Sequence, residues 1–192
     1  MAIRLLVTSG SSRTGSLNRR LASLVSRIAR EAGAEVTELD LGALALPLYN
    51  GDVESAAMPE GARELRRLFS SHDGFIVAAP EYNAFVTPLL VNALDWASRP
   101  AAEGTLPAGL AAMNGKAAGM VSASPGAIGG MRGLLFLRSF LATALAMHVV
   151  PETASIGQAQ QAFDDSGALK DAKQQLAVER VVRSVLAQAT RR

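Results

Sequence analysis

The chain has no cysteine, and that absence removes several chemistries at once. It rules out a disulfide, a thiolate nucleophile and a cysteine-ligated zinc or iron–sulfur cluster. Histidine is nearly absent too: His72 and His148 are the only two, and they stand isolated. No spacing of histidines or carboxylates has the pattern of a metal site, so both are expected to be structural. Charge is sparse and balanced. The net charge is +2, spread along the chain without a basic run, which argues against a nucleic-acid partner. The most apolar window, Leu134 to Val150, is broken by Arg138 and His148 and falls short of the roughly 20 residues a membrane-spanning helix needs. The opening MAIRLLVTSG turns polar too soon for a secretory signal. Together these absences suit a cytoplasmic protein with no membrane segment.

What is present is enough material for a core. Hydrophobic residues make up 49% of the 192 positions, which suits one domain over residues 1–192. Apolar runs predict strands at Ile3–Thr8, Glu35–Leu39, Gly74–Ala79, Lys116–Ala123 and His148–Val150. The runs are nearly continuous rather than alternating, as in strands covered on both faces. Helical periodicity fills the gaps. Leu17, Leu21, Leu24, Val25, Ile28 and Ala32 form one stripe, and Pro59 opens a second helix with Leu65, Leu68 and Phe69 buried. Val86 to Ala97, Met131 to Ala146 and Leu169 to Ala189 predict three more. Five strands each followed by a helix imply a doubly wound parallel α/β sheet.

Ligands in such sheets bind outside the carboxyl ends of the strands, and three segments there have unusual composition. After the first strand comes TSGSSRTGSLN, with hydroxyls at Ser9, Ser11, Ser12, Thr14 and Ser16 and one cation, Arg13. A hydroxyl-rich loop before a helix N-terminus can hold an anion, or Ser16 can simply cap the helix. The stretch lacks both the lysine of a Walker loop and the G-x-G-x-x-G fingerprint. After the third strand comes APEYN, where Pro80 disfavours continuing the strand and Tyr82 is either exposed packing or a platform. After the fourth comes SASPGAIGG, whose Gly126, Gly129 and Gly130 allow a close backbone approach or just a flexible loop.

The motifs GSSRTGSLN (Gly10 to Asn18), PEYNAFVTPLLVNALDWASRP (Pro80 to Pro100) and SASPGAIGGMRG (Ser122 to Gly133) resemble those of the NAD(P)H-dependent FMN reductases. The family includes quinone, chromate and azo-dye reductases, and the resemblance covers nearly the whole chain. It implies a flavodoxin-like three-layer αβα sandwich with a five-stranded parallel sheet in the order 2-1-3-4-5. It also implies bound FMN, with NADPH or NADH as reductant. Ser11, Arg13, Ser16, Leu17 and Asn18 match the loop that holds the FMN phosphate. Pro80, Glu81, Tyr82 and Asn83 match the turn along the isoalloxazine ring. Ser124, Gly126 and Gly129 match the loop at the ring's other edge. The chemistry is then the cofactor's, and no catalytic side chain is named.

Three positions depart from the family pattern. Val91 stands where many members have lysine, and Ala84 and Phe85 stand where small polar residues are frequent. Phe85 bears on acceptor size and access rather than on FMN binding. No clamp for a 2′-phosphate distinguishes NADPH from NADH. Asp95 and Trp96 read as packing plus a helix-end hydrogen bond, on a helix the resemblance assigns to a subunit interface. The apolar loop Leu44–Tyr49 is expected to be poorly covered in a monomer, which points to a homodimer or a dimer of dimers. The leading reading is an enzyme that passes two electrons from NAD(P)H through FMN to a quinone-like or free-flavin acceptor. A non-enzymatic flavodoxin-type carrier is the alternative, but such carriers are usually strongly acidic. A flavin-free interaction module is disfavoured by the intact phosphate loop.

Overall fold

The computed structural model describes residues 2–99 and 107–191; Pro100, the last residue of the second motif, lies outside them. In chain order the elements are β1 (Arg4–Ser9), α1 (Leu17–Glu31), β2 (Glu35–Asp40), α2 (Gly51–Ala56), α3 (Glu60–Ser71), β3 (Gly74–Ala78), β4 (Glu81–Tyr82), β5 (Phe85–Val86), α4 (Pro88–Ala97), β6 (Ala117–Ala123), α5 (Met131–Ser139), β7 (His148–Ile156), α6 (Ala159–Ala162) and α7 (Ala172–Ala189). Five strands pair in parallel in the order β2-β1-β3-β6-β7. Counting only those five, this is the expected 2-1-3-4-5.

The burial of each strand follows from its place in that order. Central strands β3 and β6 are buried at every position, and β1 at all but Arg4. Edge strand β2 is exposed or half-buried throughout. One face of the sheet packs against α1 and α7 through Leu5, Val7, Ile76 and Val121. The other packs against α3, α4 and α5 through Leu6, Phe75, Val77 and Met120. Residues alternate between the two cores along each strand, as period-2 geometry requires. Each large aliphatic side chain removed from water contributes about 1.5–3 kcal/mol, so the two cores carry the stability and leave the loops at the strand ends free for binding.

Several boundaries differ from expectation, each for a physical reason. β7 runs to Ile156, because Pro151 lies at a register shift against β6 rather than at a strand end; edge strands and bulges are where a sheet tolerates proline. α4 begins at Pro88, because Phe85 and Val86 belong to a short antiparallel ribbon with Glu81 and Tyr82. α5 ends at Ser139 and continues as a π-helical turn over Phe140–Ala144. Leu169 bridges Phe163 instead of opening α7. The loop Leu44–Tyr49 is covered more than expected. Leu46 and Tyr49 pack on Met58, Ala62 and Trp96, leaving Leu48 as its exposed large apolar residue at 82%. Trp96 is fully buried and its Nε1 donates to the Pro47 carbonyl at 2.8 Å.

Candidate active site

β1 sits where the strand order reverses, and the loops after β1, β3 and β6 converge beside it. In the β1–α1 loop, Ser16 is the N-cap of α1 and its Oγ accepts from the Arg19 N–H at 3.4 Å. Ser16 therefore caps α1, and its buried hydroxyl stays on the cleft wall. Ser11 Oγ accepts from the Arg13 N–H at 3.3 Å. Arg19 is engaged by Asp40 at 2.8 Å, whereas the exposed Arg13 guanidinium has no intrachain partner among the described residues. The N–H groups of Leu17 and Asn18 belong to the first helical turn, where no carbonyl precedes to accept them. One unpaired cation, several hydroxyls and helix-end N–H groups make a donor set for a phosphate.

Asn18 does something the motif did not disclose. Its side-chain amide donates to the Ala123 carbonyl at 2.8 Å and accepts from the Ala123 N–H at 2.9 Å. The amide is thus committed to tying α1 to the end of β6, leaving the backbone N–H as the group Asn18 can offer a ligand.

The APEYN segment is a hairpin. Tyr82 pairs with Phe85 and Glu81 with Val86, and between them Asn83 and Ala84 both take left-handed conformations, φ 51° and 62°. Two successive positive φ values define the tight turn that joins antiparallel strands, normally written Asn-Gly. Alanine there costs about 1 kcal/mol. Pairing puts Tyr82 and Phe85 on one face, both about half exposed, and Phe85 meets Phe136 of α5 at 4.9 Å between ring centres. Glu81 points the other way. Its buried carboxylate takes the Arg132 guanidinium, with Nε at 2.9 Å, and the Gly133 N–H at 3.1 Å. Burial alone would push this carboxyl up; the bonds from Arg132 and Gly133 outweigh it and hold the group below its ordinary value. At the hairpin's exit, Thr87 Oγ1 donates to the Gly10 carbonyl at 2.7 Å.

In the third loop Ser124 Oγ accepts from the Gly126 N–H at 3.2 Å. A Cβ on Gly126 would meet only that hydroxyl, at 3.7 Å, so this backbone is open to a ligand. Gly129 differs. It has φ +65°, and a Cβ would fall 2.6 Å from the Ile156 nitrogen, so it is glycine in order to pack on β7.

The three loops enclose a cleft of about 220 Å³. Ser11, Arg13, Ser16, Leu17, Asn18, Pro80, Glu81, Tyr82 and Ser124 line it. Asn83, Gly126 and Gly129 lie on the same loops but off its wall. Ala123 and Pro125 line it as well and escaped the sequence reading, since an alanine and a proline carry no chemical signal of their own. Larger depressions exist between β7 and α7, about 400 Å³, and at the opposite end of the sheet, about 1120 Å³. Neither includes any of these loops. The small cleft has phosphate donors at one end and an exposed aromatic ring at the other, and this donor set fits FMN. His72, by contrast, is structural: its ring nitrogens bond the Leu68 carbonyl at 2.7 Å and Thr37 Oγ1 at 2.8 Å.

Comparison with known proteins converges on the same chemistry. The family model described as NADPH-dependent FMN reductase matches residues 3–161. A quinone reductase from Pseudomonas putida is 39% identical over 166 residues, 86% of this chain and 83% of the relative. An NAD(P)H-dependent FMN reductase from Pseudomonas aeruginosa is 34% identical over 174 residues, 89% of this chain and 86% of the relative. Among solved structures, a flavoenzyme NAD(P)H:(acceptor) oxidoreductase from Paracoccus denitrificans superposes with a TM-score of 0.82 at 26% identity, covering 99% of this chain and 98% of that one.

Proposed function

The chain belongs to the NADPH-dependent FMN reductase family, and from that premise we propose that it moves electrons from NAD(P)H to a quinone-type acceptor at the cleft between the β1–α1 loop, the β4–β5 hairpin and the β6–α5 loop. It is an NAD(P)H-dependent flavin oxidoreductase, and its cofactors are FMN and NAD(P)H. When bound, FMN supplies the redox chemistry, accepting a hydride and releasing two electrons.

The protein's part is to bind and orient. Ser11, Ser16 and the helix-end N–H groups of Leu17 and Asn18 would hold the phosphate, and Arg13 would supply the countercharge. Pro80, Tyr82 and the backbone at Asn83 would lie along the ring, with Ser124 and Gly126 towards its other edge; Gly129 and Glu81 support these loops. The observation that carries this assignment is the Arg13 guanidinium, unpaired among the described residues, beside buried hydroxyls on the same cleft as the exposed Tyr82 ring. The exposed apolar side chains of Phe85, Met131, Leu135 and Phe136, together with Leu48, suit a homodimer or a dimer of dimers. The lack of cysteine suits the cytoplasm. Among the described residues no helix is long and apolar enough to cross a membrane.

Three readings are separated by one experiment. The purified protein is titrated with FMN, then mixed anaerobically with NADPH or NADH and finally with a quinone. Retained flavin, bleached by the nicotinamide and reoxidised by the quinone, is the expected result. Retained flavin that no nicotinamide bleaches makes the protein a flavodoxin-type carrier, and failure to retain flavin overturns both. Light scattering that finds only a 20.0 kDa particle overturns the oligomer.

A further inference from the structure

We propose that Arg132 is a positioning residue: by holding the Glu81 carboxylate against the first turn of α5, it fixes the strained β4–β5 hairpin in the place where it faces the flavin. The inference rests on FMN occupying the cleft described above.

Arg132 lies outside the cleft wall and its side chain is 59% exposed, whereas the Glu81 side chain is 8% exposed. Arg132 directs two nitrogens, Nε and Nη2, at one carboxylate oxygen, and the Gly133 N–H occupies the other. Glu81 is thereby bonded through both oxygens to a helix that starts 49 or more residues further along the chain, counting from Glu81 to Gly130, the helix N-cap. Gly130 makes no side-chain cap of its own, so the Glu81 carboxylate takes the cap's place from another loop. The two elements are in direct apposition there. A Cβ on Gly133 would sit 3.3 Å from the Phe85 carbonyl oxygen and 3.4 Å from the Glu81 Cβ.

The hairpin needs such a fastening. Asn83 and Ala84 are both left-handed, and residues in that region persist only where their surroundings over-determine them. The exit strand is held by buried Val86 and by the bond from Thr87 to Gly10. The entry strand, which carries Tyr82, has an exposed ring and is held at Glu81. An exposed ion pair normally contributes little. Here one partner is buried, and removing the other would leave a carboxylate without its cation on the cleft wall.

The test uses R132A, R132K and E81Q, read in two ways: amide exchange of Tyr82–Phe85 in FMN-free protein, and the reduction potential of FMN in loaded protein. R132A is expected to speed hairpin exchange by about tenfold or more while β1 and β3 keep their protection. It is also expected to make the potential more negative, because the unpaired carboxylate opposes electron uptake. R132K should recover much of the potential and less of the protection, since one ammonium replaces the charge but not the fork. An R132A protein with a lower melting temperature but wild-type hairpin exchange and potential has lost only a surface ion pair, and that overturns the proposal. Should R132A not fold, E81Q keeps the shape and removes the charge; faster hairpin exchange supports the latch and wild-type exchange overturns it. Wild-type protein that binds no FMN defeats the functional reading, and the exchange measurement still judges the latch.

Discussion

Asn18 and Ala123 are 105 positions apart in the chain and exchange two hydrogen bonds, one in each direction, at 2.8 and 2.9 Å. The side chain of one imitates a strand partner for the backbone of the other. The end of β6 and the start of α1 are thereby fixed as two walls of one cleft.

Asn18→Ala would leave both backbone groups of Ala123 buried and unpaired. Losing that pair costs about 1–3 kcal/mol, and thermal denaturation is expected to show a fall of roughly 2–12 °C for a chain of this size. A melting temperature within error of wild type would mean that water replaces the amide at no cost.

Arg13→Ala removes the guanidinium that has no partner among the described residues from the proposed phosphate end of the cleft. FMN affinity, read from flavin fluorescence quenching, is expected to weaken by about 1–3 kcal/mol, with stability unchanged. Ser16→Ala should weaken FMN binding similarly and also lose its capping bond, lowering stability by about 1 kcal/mol. Unchanged affinity in both variants places the phosphate elsewhere.

Ala84→Gly relieves a left-handed alanine at a turn that favours Asn-Gly. The expected gain is about 1 kcal/mol, a rise of roughly 2–4 °C in melting temperature, whereas Ala84→Val should destabilise. A glycine variant that melts lower than wild type would show that the hairpin bears no strain at this position.

Phe85→Ser removes an exposed ring beside Tyr82. Bulky apolar quinones are expected to lose about three- to tenfold in kcat/KM, the scale of a partly buried aromatic, while a small hydrophilic quinone and FMN affinity are unaffected. Equal losses for both quinones would place Phe85 outside the acceptor's path.

His72 is held below its ordinary value. Burial disfavours the imidazolium first; the Leu68 carbonyl opposes this, Arg4 and Lys116 add to it, and Asp73 opposes it. The unfolded chain therefore takes up the proton first as pH falls. Stability is fully present above about pH 6.5, the ordinary histidine value, and declines as pH drops towards the lowered one. Chemical denaturation between pH 7.5 and 5 should show that decline in wild type and a flatter profile in His72→Gln. Parallel profiles would exonerate His72.

The sheet was legible because burial on both faces writes itself as unbroken apolar runs, and Leu5–Val7, Phe75–Ala78 and Ala117–Val121 are such runs. The three loops were legible because each follows a strand and is rich in residues that strands and helices avoid. What escaped depends on distant partners or on exceptions to local rules. Pro151 reads as a stop, yet it lies at a register shift on an edge strand. The Asn83–Ala84 turn lacks the glycine that announces it. Asn18 reads as a ligand contact because nothing near it in sequence points to Ala123. Glu81 reads the same way until Arg132 and Gly133 appear beside it.

The cleft's walls are bolted to one another by Asn18 with Ala123, Thr87 with Gly10, and Glu81 with Gly133, and every one of those bonds is made within the chain. Cofactor loading then has few loops to order, so little of the binding free energy is lost to entropy. Reconstitution of stripped protein should therefore follow simple one-step saturation, at a rate set by encounter rather than by rearrangement.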